Sequence, residues 1–322
     1  MEKPSARHVI LAPVPVALTE RWCPTCDKPY HGTVLTERRD DEIQSVRYSP
    51  CPECGTVSSS RVEPGQTCQA SFAAAEALVA EGARVVLSGP HEASASAAAA
   101  RLTPDAGPAG RVTWVAADNS DAATPDRLIA AAEERFGRLD GALVSVGGTT
   151  PGTVATTPDE AWRSAFESVF LGAVRLARAL GPYLAGQDGA ETGTGPTTGT
   201  GGSVIFVLAS SVRVPLPELA VSNGLFPGLA GVVKMLAEEL GPSGTRVNAI
   251  LPVRIATDRV RQLDALRGDP DEVRARRSED IPLRRYGEPE EFGRVAAFLL
   301  SPAASYMTGA MIPVDGGSIR AI

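Results

Sequence analysis

From Gln69 onward the chain alternates between two patterns, and few folds accept that alternation. Short runs that are apolar on both faces, "ARVVLSG" (83–89), "RVTWVAAD" (111–118), "LDGALVSVGG" (139–148) and "GSVIFVLASS" (202–211), read as strands. Between them stand helical patterns: "QASFAAAEALVAEG" (69–82), "DRLIAAAEERFG" (126–137) and "DEAWRSAFESVFLGAVRLARALGPYLA" (159–185). A strand without a polar face must be covered on both sides, and parallel strands need crossovers long enough to hold a helix. The pattern predicts a doubly wound α/β fold. "HVILAPV" at His8–Val14 supplies an earlier buried strand.

The stretch between that strand and the Gln69 helix has a different character. It holds Cys23 and Cys26 in "WCPTCDKPYHG" and Cys51 and Cys54 in "PCPECGTV". Two Cys-x-x-Cys pairs can close a tetrahedral site around one ion, and the prolines and Gly55 favour tight turns that aim backbone amides at the sulfurs. The stretch resembles a zinc ribbon. Two disulfides or a redox pair are the competing readings; a reducing compartment disfavours the first, and no thioredoxin-like unit surrounds either pair. With sulfur in all four places the expected zinc is structural. His31 would be a ligand only if one cysteine were not used, and Cys68 reads as a small residue at a helix start. The expected organisation is a main domain of residues 1–16 and 68–322, an inserted zinc-ribbon module of 17–67, and a flexible Gly/Thr-rich loop at 186–202.

With 322 residues and 43% hydrophobic content, the chain can bury a sizeable core. A net charge of −7 argues against broad nucleic-acid binding, which needs a basic face. No apolar run reaches the roughly 18 residues that a membrane span requires, and the N-terminus lacks a signal-peptide layout. The expected location is cytoplasmic, with no membrane and no nucleic-acid partner.

Several segments together resemble one family. "EGARVVLSG", "ERFGRLDGALVSVGG", "DEAW", "AEELGPSGTRVNAILP" and the stretch Tyr286–Gly317 are similar to the 3-oxoacyl-carrier-protein reductase branch of the short-chain dehydrogenases/reductases. The resemblance spans His8–Val14 and Gln69 to the C-terminus. It implies a Rossmann-like fold with an insertion between the first strand and the first helix.

The resemblance also shows what differs. The family follows its first strand with a glycine-rich turn, which lets the backbone reach a dinucleotide's diphosphate at a helix N-terminus. Here the only glycines before Gly82 are Gly32, Gly55 and Gly65. Gln69 and Ser71 take the places of the last two family glycines, so their side chains are expected where phosphates would lie. Pro90 stands where NADP-preferring relatives often carry arginine. Asp118 matches the aspartate of the adenine site, although an aspartate after a strand is more often a turn cap.

The family's catalytic set is Asn, Ser, Tyr and Lys. Tyrosine gives the proton to the carbonyl, lysine lowers its pKa and holds the nicotinamide ribose, and serine orients the carbonyl. Val169 takes the asparagine place, Ser211 the serine place, Ser222 the tyrosine place and Phe226 the lysine place. The chain has three lysines, Lys3, Lys28 and Lys234, and no tyrosine stands four residues before any of them. A positioned general acid contributes about 10²–10⁴ in rate, and a serine cannot supply that proton at neutral pH.

The sequence therefore predicts a non-redox pseudoenzyme: a subunit, homo-oligomeric or paired with an active short-chain dehydrogenase or biosynthetic enzyme through its long helices 159–185 and 223–240. NAD(P) is not expected. An alternative is a cyclase- or dehydratase-type enzyme that reuses the emptied cleft for an acyl or polyketide-like substrate, with Ser145, Ser211, Ser222 and Asn223 lining the pocket. A further alternative is an atypical NAD(P)-dependent oxidoreductase.

Overall fold

The computed structural model describes residues 68–102, 110–145, 147–149, 151–186, 201–265 and 267–321, and the backbone of the earlier strands. Seven strands form one sheet: β1 (His8–Ala12), β7 (Arg84–Gly89), β8 (Val112–Ala116), β9 (Gly141–Ser145), β10 (Ser203–Val207), β11 (Arg246–Pro252) and β12 (Met311–Val314). Their order is β12-β11-β10-β9-β1-β7-β8, and every neighbouring pair is parallel. The predicted doubly wound sheet is present, and β1 lies inside it, between β9 and β7.

Side chains alternate between the two faces, as strand geometry demands. Leu143, Ile205 and Ile250 face a core shared with α1 (Gln69–Ala80), α2 (Glu92–Leu102) and α9 (Pro289–Leu300). Val144, Phe206, Ala249 and Leu251 face the opposite core. That second core is covered by α3 (Thr124–Phe136), α4 (Asp159–Ala165), α5 (Gly172–Gly186) and α6 (Ala220–Leu240). Each fully buried Leu, Ile or Phe stabilises by about 1.5–3 kcal/mol, so both faces are well anchored. On the first face α1 and α9 pack backbone to backbone: a Cβ at Gly293 would stand 2.5 Å from the Ala73 carbonyl oxygen. Only glycine permits that approach.

The single helix expected over 159–185 is interrupted. A π-helical turn, Phe166–Leu171, separates α4 from α5. α6 is long and apolar enough to cross a membrane by length and composition, contrary to the sequence reading. Val221, Leu225, Leu229 and Val233 explain that character, because they are buried against the sheet core. On the long helices expected to meet another subunit, Gly172 and Ala173 are buried inside the chain, with Gly172 against Asn119. Gly231 does face open space.

Between β1 and α1 the chain forms short antiparallel strands: β2 (Glu20–Cys23) pairs with β3 (Lys28–His31), and β4 (Val34–Arg39), β5 (Glu42–Tyr48) and β6 (Ser59–Ser60) make a second sheet. Cys23 closes β2, whereas Cys26, Cys51 and Cys54 lie outside the described residues. So does most of the 186–202 loop.

Candidate functional site

In a doubly wound sheet, ligands bind beyond the carboxyl ends of the strands, where the strand order reverses. Here that point lies between β9 and β1. Four segments surround it: the start of α1, the loop after β9, the turn between β10 and α6, and α7 (Asp258–Ala265) after β11.

The catalytic slot comes first. β10 runs into a 3-10 turn, Ser210–Val212, and α6 begins at Ala220. Ser211 and Ser222, the residues at the family's serine and tyrosine places, are both buried, and their hydroxyls meet at 3.1 Å. Each is thus the other's partner. Phe226, at the lysine place, lies one turn further along α6 and is 5% exposed, packed into the core. Val169, at the asparagine place, sits in the π-helical turn and is equally buried. No charge or phenol occupies these four positions, so nothing there can deliver a proton to a carbonyl at neutral pH.

The other expected pocket residues are otherwise engaged. Asn223 accepts from the Leu216 backbone N–H and donates to the Leu216 carbonyl, both at 2.8 Å, which fixes the turn into α6. Ser145 ends β9 in full burial, and its carbonyl accepts from the Asn119 side chain. Of the proposed serine-asparagine set, hydrogen bonding joins only Ser211 and Ser222. Asp118 accepts the backbone N–H and the hydroxyl of Ser120, each at 2.8 Å, the turn-cap role. Ser71 donates to the Cys68 sulfur at 3.4 Å and not into the cleft.

Gln69 behaves differently. Its amide donates to the Asp258 carboxylate at 3.0 Å and accepts from the Asp258 backbone N–H at 2.6 Å. This two-point bond ties the start of α1 to the start of α7 across the cleft. Next along α7, Arg259 reaches back to the loop after β9. It donates to the Thr149 carbonyl at 3.1 Å and lies over Gly148, where a Cβ would stand 3.2 Å from its Nε. Burial pushes this guanidinium below the usual arginine range. Among the described residues no carboxylate pairs with it.

Beyond α7 the charges are paired. Arg254 meets Asp264 at 2.5 Å, and Tyr286 donates to the same carboxylate at 2.9 Å. Burial and that hydrogen bond push the Tyr286 phenol up to about 12. Arg254 and Arg274 both lie over the Tyr286 ring, 5.7 and 5.2 Å from its centroid. Arg267 pairs with Glu218 at 2.9 Å, and Glu218 holds a left-handed backbone (φ 61) in the turn before α6. The Glu218 carbonyl accepts from the Gly152 N–H at 2.6 Å, which joins the loop after β9 to the same turn. None of these contacts had a local signal in the sequence, because each joins residues far apart in the chain.

A doubly wound parallel sheet whose strand order reverses between β9 and β1 defines a Rossmann-like protein. The family profile described as "Enoyl-(Acyl carrier protein) reductase" matches residues 70–318. The chain belongs to the short-chain dehydrogenase/reductase family. It is 31% identical over 245 residues to "Inactive 2-(S)-hydroxypropyl-CoM dehydrogenase 2" of Xanthobacter autotrophicus, covering 76% of this chain and 98% of that one. It is 35% identical over 260 residues to an uncharacterized oxidoreductase of Mycobacterium tuberculosis, covering 79% and 88%. Among solved structures, levodione reductase superposes with a TM-score of 0.70 at 26% identity, covering 77% of this chain and 92% of that one. An NADPH-bound short-chain oxidoreductase from Pseudomonas aeruginosa PAO1 "containing an atypical catalytic center" superposes with a TM-score of 0.69 at 27% identity, covering 79% and 93%.

Both cofactor expectations are corrected by these findings. The expectation that NAD(P) has no place here does not stand beside family membership and an NADPH-bound relative with an unusual centre. It rested on the missing glycine turn, on Pro90 and on Phe226. The residues present do fit an anionic ligand, through the Arg259 guanidinium over Gly148, although nothing at Phe226 fits a ribose contact. The zinc expectation, on Cys23, Cys26, Cys51 and Cys54, is not supported either. Among the described residues no group of three or more His, Cys, Asp or Glu could hold a metal.

Proposed function

We propose that this chain is a nucleotide-binding member of the short-chain dehydrogenase/reductase family that does not carry out the family's tyrosine-driven hydride transfer, and that it works as a subunit of an enzyme assembly. The observation that carries this reading is the slot at Ser211, Ser222 and Phe226. The two hydroxyls satisfy each other, and a phenylalanine fills the lysine place as core. Similarity to a relative named as inactive supports the same reading. A bound nicotinamide would supply hydride chemistry that this slot has no acid to complete. The outer face of α6 at Gly231 is the expected contact with a second copy or an active relative.

The test joins three measurements on the purified chain: NADPH titration, NADPH oxidation with a panel of ketones and aldehydes, and native mass spectrometry. Micromolar binding, no turnover and an oligomer that Gly231→Glu dissociates are expected. Turnover at an ordinary family rate would overturn the reading. A second reading, an atypical NAD(P)-dependent oxidoreductase, is favoured by the likeness to the P. aeruginosa enzyme with its atypical centre. Under that reading turnover persists and survives Ser222→Ala.

A further inference from the structure

We propose that Arg259 is the anion anchor of this cleft: its guanidinium binds the diphosphate of a dinucleotide in place of the backbone amides of a glycine-rich turn. The inference rests on the nucleotide-binding reading above and adds the residue and the chemistry. Arg259 stands apart from its neighbours. Arg254, Arg261, Arg267 and Arg285, all from the same quarter of the molecule, pair with Asp264, Asp271, Glu218 and Glu291. Arg259 has one hydrogen-bond partner among the described residues, the neutral Thr149 carbonyl at 3.1 Å. A desolvated cation without a counter-ion is unfavourable unless something anionic joins it.

Its place points to the same ligand. The guanidinium lies against the backbone of the loop after β9, beside the reversal in strand order where the doubly wound fold binds nucleotides. Gly148 leaves the room: any side chain there would press on Arg259. The nearest carboxylate in sequence, Asp258, is turned to the Gln69 amide at 3.0 Å. A planar guanidinium presents a fork of N–H donors that matches two phosphate oxygens at once, which a lysine ammonium does not. The Gln69–Asp258 bond spans the same groove and must yield or shift when a diphosphate enters.

The experiment compares wild type, Arg259→Ala, Arg259→Lys and Gln69→Ala. Binding of NADPH and NADH is followed by nicotinamide fluorescence, and melting temperature is followed with and without inorganic pyrophosphate. An anchor predicts at least a tenfold higher Kd in Arg259→Ala, an intermediate Kd in Arg259→Lys, and equal or tighter binding in Gln69→Ala. It also predicts that pyrophosphate raises the melting temperature of wild type but not of Arg259→Ala. Without ligand, Arg259→Ala should melt no lower than wild type, since it removes a charge that no carboxylate among the described residues pairs with; this separates lost binding from lost folding. Unchanged or tighter dinucleotide binding in Arg259→Ala would mean that the arginine plugs the cleft, and would overturn the proposal. If wild type binds neither dinucleotide, the nucleotide reading fails by itself. Arg259 as an anchor then stands or falls on the pyrophosphate shift.

Discussion

The slot under α6 and the cap formed by α7, α8 (Pro270–Glu279) and the Tyr286 turn border the same cleft, yet they handle polarity in opposite ways. In the slot, polar groups are few and neutral, and they satisfy one another or the local backbone: Ser211 with Ser222, Asn223 with Leu216. Around them Val169 and Phe226 extend the apolar core. In the cap, charges are kept at depth by tight pairing, as in the Arg254–Asp264–Tyr286 cluster. Under the proposed reading, a reactive centre becomes core when hydroxyls and apolar rings stand in for its ionisable groups. The cap cannot be changed so cheaply, because removing one charge strands another.

That contrast sets the scale of the expected effects. Asp264→Ala should cost about 3 kcal/mol or more, since it leaves Arg254 without its counter-charge and the buried Tyr286 hydroxyl without an acceptor. Chemical denaturation measures it; a loss under about 1 kcal/mol would show that the cap is more hydrated than its burial suggests. Ser222→Ala should cost about 1 kcal/mol or less, because the hydroxyl it orphans can turn to the Ser222 carbonyl at 3.5 Å. A larger loss would mean that the slot is as tightly organised as the cap.

The smallest effect depends on pH. Arg285 and the backbone N–H of Glu288 hold the Glu291 carboxyl down at about 2, against an ordinary 4.5. A depressed carboxyl stabilises fully above its unfolded value and loses that contribution as pH falls through its folded value. The contribution is therefore complete above pH 4.5 and lost towards pH 2. The pair is partly exposed, 51% for Arg285 and 34% for Glu291, so the net worth is about 1 kcal/mol or less. Glu291→Gln should flatten the fall in melting temperature over that window and change little at pH 7. An unaltered acid limb would remove Glu291 from the account.

Much of the fold was legible in the sequence. Apolar strands such as 139–148 and 202–211 carry their own signal, and the sheet they predict is the one observed. The π-helical turn at Phe166–Leu171 was not legible, because "FESVFL" has ordinary helical residues. Val169, Ser222 and Phe226, singled out by the family resemblance, are all buried. A side-chain partner decided by a local turn was not legible: Asn223 clasps the Leu216 backbone. The Gln69–Asp258 and Arg259–Thr149 contacts join segments 189 and 110 residues apart, beyond any local pattern.

The central proposal is that the place of the catalytic lysine has become core. Phe226→Lys tests it without knowledge of any substrate. Buried among Leu225, Leu229 and Val221, a lysine would lose the ring's packing and bring a charge into apolar surroundings. The account predicts a loss of about 3 kcal/mol or more in unfolding free energy, by chemical denaturation at pH 7. A change under about 1 kcal/mol would contradict it, because it would show a slot still built to receive a lysine.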